Sequence, residues 1–155
     1  MSFTEHLLRA RSEDGLRLDG IGVLPEGEFL PIGIVWVHDL YGAFYQPPYA
    51  DLSRVMARRG YLSVVGNLRG HDFGSILPDR TGRPIVGGGA WERFHESPYD
   101  IAAWIGAATR LGVDEVVLVG HGLGARKGVF YQSERHDPRV LGAAICSAGL
   151  NYPPV

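Results

Sequence analysis

Apolar residues in this chain fall into short blocks separated by turn residues, and the spacing inside each block separates strand from helix. Residues 6–11 and 16–24 are strand-like segments joined by Ser12-Glu13-Asp14-Gly15, which predicts a hairpin. Pro25-Glu26-Gly27-Glu28 is a turn. Residues 32–37 (Ile-Gly-Ile-Val-Trp-Val) run apolar without alternation, as a strand covered on both faces does. Over 48–59, Tyr49, Leu52, Val55 and Met56 recur at helical spacing, and Gly60 is placed to cap that helix. Residues 61–65 form the next buried strand. An irregular insertion follows over 70–91, with Gly82, Pro84 and the triplet Gly87-Gly88-Gly89. A helix over 98–111 carries Ile101, Trp104, Ile105 and Ala108 on one side and ends at Gly112. Residues 116–119 are a strand, 125–135 a helix and 140–147 a last strand.

The resulting order is β-β-β-α-β-α-β-α-β. Single helices between strands imply right-handed crossovers and a three-layer α/β sandwich, its mostly parallel, twisted sheet of about six strands opening with an antiparallel hairpin. Ligands of such sheets bind beyond the carboxyl ends of the strands. No repeat, low-complexity tract or internal boundary divides the chain, so 1–155 is expected to be a single domain. Its 155 residues are enough for a sizeable core. A formal charge of −2 and a pI of about 6.3, with no block of like charges, speak against a nucleic-acid or anionic-membrane partner. No stretch approaches the roughly 20 apolar residues of a membrane span, and the N-terminus has no signal-peptide core. The single cysteine, Cys146, excludes an internal disulfide and fits a cytoplasmic setting. Within its apolar run it is expected to be a buried, inert thiol.

The run Val116-Val117-Leu118-Val119-Gly120-His121-Gly122-Leu123-Gly124-Ala125 is a strand turning sharply into a helix. With serine at 122 it would spell the G-x-S-x-G nucleophile elbow. Two further segments stand in matching order: Ile34-Val35-Trp36-Val37-His38-Asp39-Leu40-Tyr41-Gly42 after the first core strand, and Asn67-Leu68-Arg69-Gly70-His71-Asp72-Phe73-Gly74-Ser75 after the next. Together the three resemble the N-terminal half of an α/β-hydrolase, strands one to six of eight, and residues 89–148 look most like poorly characterised bacterial members. The resemblance implies an oxyanion hole built from the backbone N–H groups of Leu40 and Leu123, with His38, Asp39, Tyr41 and His121 around the pocket. It also implies that histidines such as His38 and His121 brace loop backbones.

Two departures alter what the resemblance predicts. Gly122 stands at the nucleophile position and has no atom able to attack a carbonyl, and the sequence stops at Val155, just after the sixth strand; in the loop segment Asp39 stands where glycine is usual. The triad acid and histidine ordinarily follow the nucleophile. Here the only downstream histidine is His136, beside Asp137, expected at the end of the sheet opposite the elbow. The expectation is therefore a degenerate hydrolase, without late strands and cap, acting as a non-catalytic binding or assembly module that takes a small acyl or ester-like ligand. The alternative is a carboxylic-ester hydrolase in inactivated, truncated or split form. An uncovered sixth strand would pair with a second copy, giving a homodimer, or with a complementary C-terminal half. Pro153-Pro154 in the tail would discourage further strand pairing.

Other constellations are weaker. Gly120, Gly122 and Ala125 also spell G-x-G-x-x-A, a dinucleotide fingerprint, but Ile145-Cys146-Ser147-Ala148 supplies no carboxylate for the ribose. His38-Asp39, His71-Asp72 and His121 follow predicted strand ends and have metal-ligand chemistry; the bracing role is the stronger reading, and no metal or cofactor is assigned. Phe73, Trp91 and Phe94 either line a ligand pocket in the insertion or anchor that long loop to the core, the second being the stronger reading.

Overall fold

The structure, a computed structural model, describes residues 1–149; the proline-rich tail lies outside them. Strands β1 (Phe3–Arg11) and β2 (Arg17–Pro25) form the hairpin. They are followed by β3 (Ile32–Val37), α1 (Tyr49–Arg58), β4 (Ser63–Gly66), β5 (Ser75–Pro78), β6 (Pro84–Gly87), α2 (Ser97–Arg110), β7 (Glu115–His121), α3 (Leu123–Arg135) and β8 (Val140–Cys146). A six-stranded sheet has the order β1-β2-β4-β3-β7-β8, antiparallel through β1, β2 and β4 and parallel from β4 to β8. Among the described residues, no helix is long and apolar enough to cross a membrane.

Unbroken apolar runs in the central strands follow from cover on both faces. Ile34 and Trp36 of β3 join Tyr49, Ala50 and Ala57 of α1 in one core cluster. Val35 and Val37 point the other way, into a larger cluster with Ile101, Trp104 and Ile105 of α2 and Tyr131 of α3. That gives three layers, with α1 on one face and α2 and α3 on the other. Trp104 is 1% exposed and its indole N–H donates to the Asn67 carbonyl (2.9 Å), so its one polar atom is satisfied inside the core.

The insertion is more ordered than its glycines and prolines suggest. β5 and β6 pair antiparallel from Ser75↔Gly87 to Pro78↔Pro84, making a separate two-stranded ribbon. Just past β6 the Gly88 N–H donates to the carbonyl of Arg69 (2.7 Å), which is 5% exposed. Its guanidinium donates to Asp100 (2.8 Å), Asp14 (2.8 Å) and Glu96 (2.8 Å), joining the β4 exit loop to the first hairpin and to the start of α2. Asp100, fully buried, also accepts the Arg69 backbone N–H (2.8 Å). A buried guanidinium surrounded by carboxylates satisfies its donors.

Two expectations are corrected. Cys146 is exposed, because β8 is an edge strand of the described residues with neither face covered. Phe73 and Trp91 do not anchor the insertion: they are 66% and 55% exposed and pack edge-on against each other. Phe94 is half-buried, against Phe130 of α3.

Candidate active site at the strand–helix elbow

β7 ends at His121 and α3 begins at Leu123, so a single residue makes the turn. That residue, Gly122, has φ 55° and ψ −121°, a conformation that side-chain-bearing residues adopt only under strain. The glycines on either side permit the close crossing. A Cβ on Gly120 would lie 2.4 Å from the Ala125 Cα, and one on Gly124 would lie 2.1 Å from the Val37 carbonyl oxygen. The elbow backbone is thus intact around a residue without a side chain.

Its space is not empty. A Cβ on Gly122 would fall 2.1 Å from Asp39 Oδ1, 2.2 Å from its Cγ and 2.4 Å from Oδ2. The carboxylate of Asp39 therefore occupies the volume that a nucleophile side chain would take. Its Oδ1 accepts the backbone N–H of Leu123 (2.6 Å) and of Leu40 (2.7 Å), the two groups expected to form an oxyanion hole. The two N–H groups converge on one point, and the protein's own carboxylate oxygen occupies it. These are charge-assisted bonds at the positive end of α3, where a carboxylate is favoured.

The loop that carries Asp39 is fixed from below. His38 is fully buried. Its Nδ1–H donates to the Asp39 carbonyl (2.8 Å), leaving Nε2 to accept the Leu68 N–H (2.9 Å). Burial, reinforced by the Lys127 charge, pushes its pKa down to about 3, so it stays neutral and keeps both bonds. It is the backbone brace that the resemblance implied. Tyr49, which the sequence reading placed only on the apolar face of α1, contributes from the opposite side. Its hydroxyl accepts the Asp39 N–H (2.8 Å), and burial raises its pKa.

His121 departs from its expected part. Its Nδ1 lies 3.4 Å from the Tyr49 hydroxyl and 3.8 Å from Asp39 Oδ2, so its partners are side chains and not loop backbone. It closes β7, and its side chain is 46% exposed. Tyr41 also stands apart: it is 42% exposed, with φ 59°, and packs on Phe73. His71 is paired with Asp72 (2.9 Å), which also accepts from Tyr45. Among the described residues, no group of three or more metal-ligating side chains gathers. Lys127 Nζ bonds Glu92 Oε2 at 2.6 Å, a pair buried under α3 that the sequence reading missed because the two lie 35 residues apart.

A cavity of about 360 Å³ opens over the elbow, lined by Asp39, Leu40, Gly122, Leu123, Arg126, Ser147 and Gly149. It brings together four of the expected site residues, leaving His38 beneath, His121 beside Asp39 and Tyr41 outside the lining. A dinucleotide would place its pyrophosphate on the N–H groups opening α3; here Leu123 N–H is already bonded to a carboxylate.

No protein-family model matches the sequence, and no curated protein matches it. Solved structures do. An esterase of Pyrococcus furiosus aligns with a TM-score of 0.73 at 14% identity, over 97% of this chain and 51% of the esterase. A Klebsiella pneumoniae protein assigned as a dienelactone hydrolase aligns at 0.75 and 18% identity, over 100% of this chain and 64% of that one. An alpha/beta hydrolase from a Penicillium species aligns at 0.68 and 13% identity, over 90% and 44%. The fold is that of the α/β-hydrolases, and the chain spans about half to two thirds of the length of these neighbours.

Proposed function

We propose that this chain is a hydrolase-derived binding or assembly module in which acyl transfer at the elbow is lost. One observation carries the reading: Asp39 fills both the volume of the missing nucleophile and the oxyanion hole. An acyl substrate would have no attacking atom and no free N–H donors for its developing charge, the largest catalytic contribution of such sites. What persists is a shaped cavity over a rigid turn, a binding site for a small ligand. Assembly rests on β8, whose residues after Val140 are all exposed, with Leu141 at 50% and Ile145 at 56%. An apolar edge strand of this kind pairs with a second copy. The lone cysteine fits a cytoplasmic setting.

The test is a stopped-flow assay with a short p-nitrophenyl ester beside a light-scattering mass. No burst, no turnover above buffer and a mass near twice 16.9 kDa are expected. Turnover by the unaltered chain would refute the loss of acyl transfer. A second reading, a split carboxylic-ester hydrolase, draws on the intact elbow backbone at Gly122. It requires that Asp39→Gly with Gly122→Ser, mixed with a separate C-terminal half, give an acyl burst that neither part gives alone.

A further inference from the structure

The binding-module reading leaves open what the cavity holds, and Asp39 bears on that directly. Its Oδ1 is saturated by the two backbone donors at 2.6 and 2.7 Å. Among the described residues Oδ2 has no hydrogen-bond partner, with His121 Nδ1 3.8 Å away, beyond hydrogen-bond reach. The cavity that Asp39 lines is otherwise walled near it by Leu40, Leu123 and the bare backbone of Gly122. A carboxylate or acyl oxygen entering here meets an anion where a hydrolase would offer two N–H donors. A cationic N–H donor meets a fixed acceptor, oriented before the ligand arrives by bonds to its other oxygen.

We propose that the cavity over the elbow binds a small organic ammonium ligand, with the head on Asp39 Oδ2 and a short apolar tail against Leu40 and Leu123. The assignment rests on the cavity being a binding site, and adds the charge of the ligand it selects. The volume, about 360 Å³, is at the small end for ligand pockets and suits a tail of a few carbons. Arg126 also lines the cavity and is the group that would draw an anion instead. The two charges make opposite demands, so the sign of the preferred ligand decides between them.

The experiment titrates the protein with n-butylammonium, butyrate and butanamide in parallel, following the Leu40 and Leu123 backbone amides by ¹⁵N NMR. Butylammonium is expected to bind at least about ten-fold more tightly than either other probe, as a charge-assisted bond does over a neutral one. Asp39→Asn retains an oxygen for both N–H groups and the fold with it, and is expected to weaken butylammonium about ten-fold without admitting butyrate. Asp39→Gly clears the hole and is expected to reverse the preference toward butyrate. Equal or tighter butyrate binding by the unaltered protein would overturn the ammonium assignment and leave the binding module standing. No shift with any of the three probes would overturn both.

Discussion

Restoring serine at the elbow is the obvious perturbation, and the structure predicts that it fails alone. A Cβ at 122 would stand 2.1 Å from Asp39 Oδ1 and 2.2 Å from Cγ, so the carboxylate must leave. Leaving forfeits its bonds from Leu40 and Leu123. Hydrogen bonds to charged groups contribute about 1.5–3 kcal/mol each. Asp39 is 39% exposed at the side chain and water can replace it there, so about 2 kcal/mol for both together is the discounted figure. A side chain at φ 55° adds about 1–3 kcal/mol of strain. Gly122→Ser should therefore cost about 3–5 kcal/mol, and Asp39→Gly about 2 kcal/mol. In the double variant the bonds are lost once and nothing collides, so its cost should match that of Gly122→Ser alone. The coupling, about 2 kcal/mol, is read from a double-mutant cycle of urea unfolding free energies. Additivity within about 0.5 kcal/mol would refute the claim that the two residues share one volume.

Stability should fall with acid in a window set by His38, whose folded pKa of about 3 lies below the unfolded value near 6.5. Its contribution is complete above pH 6.5 and is lost on descent toward 3, at about 1.4 kcal/mol per unit, or about 2.7 kcal/mol by pH 4.5. Urea unfolding at pH 7.5 and 4.5 measures it, and a flat profile would contradict it. Asp100→Asn should cost about 1.5–3 kcal/mol, since Arg69 loses its fully buried charged partner and keeps Asp14 and Glu96, seen as a drop in midpoint at unchanged m-value. Ile145→Lys, on the exposed β8, should abolish the proposed pairing of two copies, seen as a monomer mass by light scattering, while the unfolding free energy of the isolated chain stays within about 0.5 kcal/mol.

Much of the architecture was legible because the central strands are apolar runs and α1 and α2 carry apolar positions at helical spacing. The run 32–37 matches β3 residue for residue, and the turn glycines Gly60 and Gly112 take the positive φ expected past α1 and α2. The β5–β6 ribbon was hidden because four residues such as Ser75–Pro78 are too few to show alternation and end in proline. The exposure of Cys146 was hidden for another reason. An apolar strand records a need for cover on both faces, and in β8 the described residues supply none. The same holds for the buried ion pairs: nothing in local spacing joins Arg69 to Asp14 or Lys127 to Glu92.

At the site the signal was present but divided. Glycine at 122 and aspartate at 39 were each noted as a departure from the hydrolase pattern, one removing a nucleophile and the other disturbing a loop. They lie far apart in sequence, and only the fold shows that the Asp39 carboxylate stands where a side chain at 122 would. Glycine at 122 leaves the space that the Asp39 carboxylate fills, and serine with aspartate would collide. Together they leave the elbow satisfied and the cavity carrying one outward-facing carboxylate oxygen. The positive-φ turn, the two converging N–H groups and the buried His38 brace together fix the Asp39 carboxylate over the elbow.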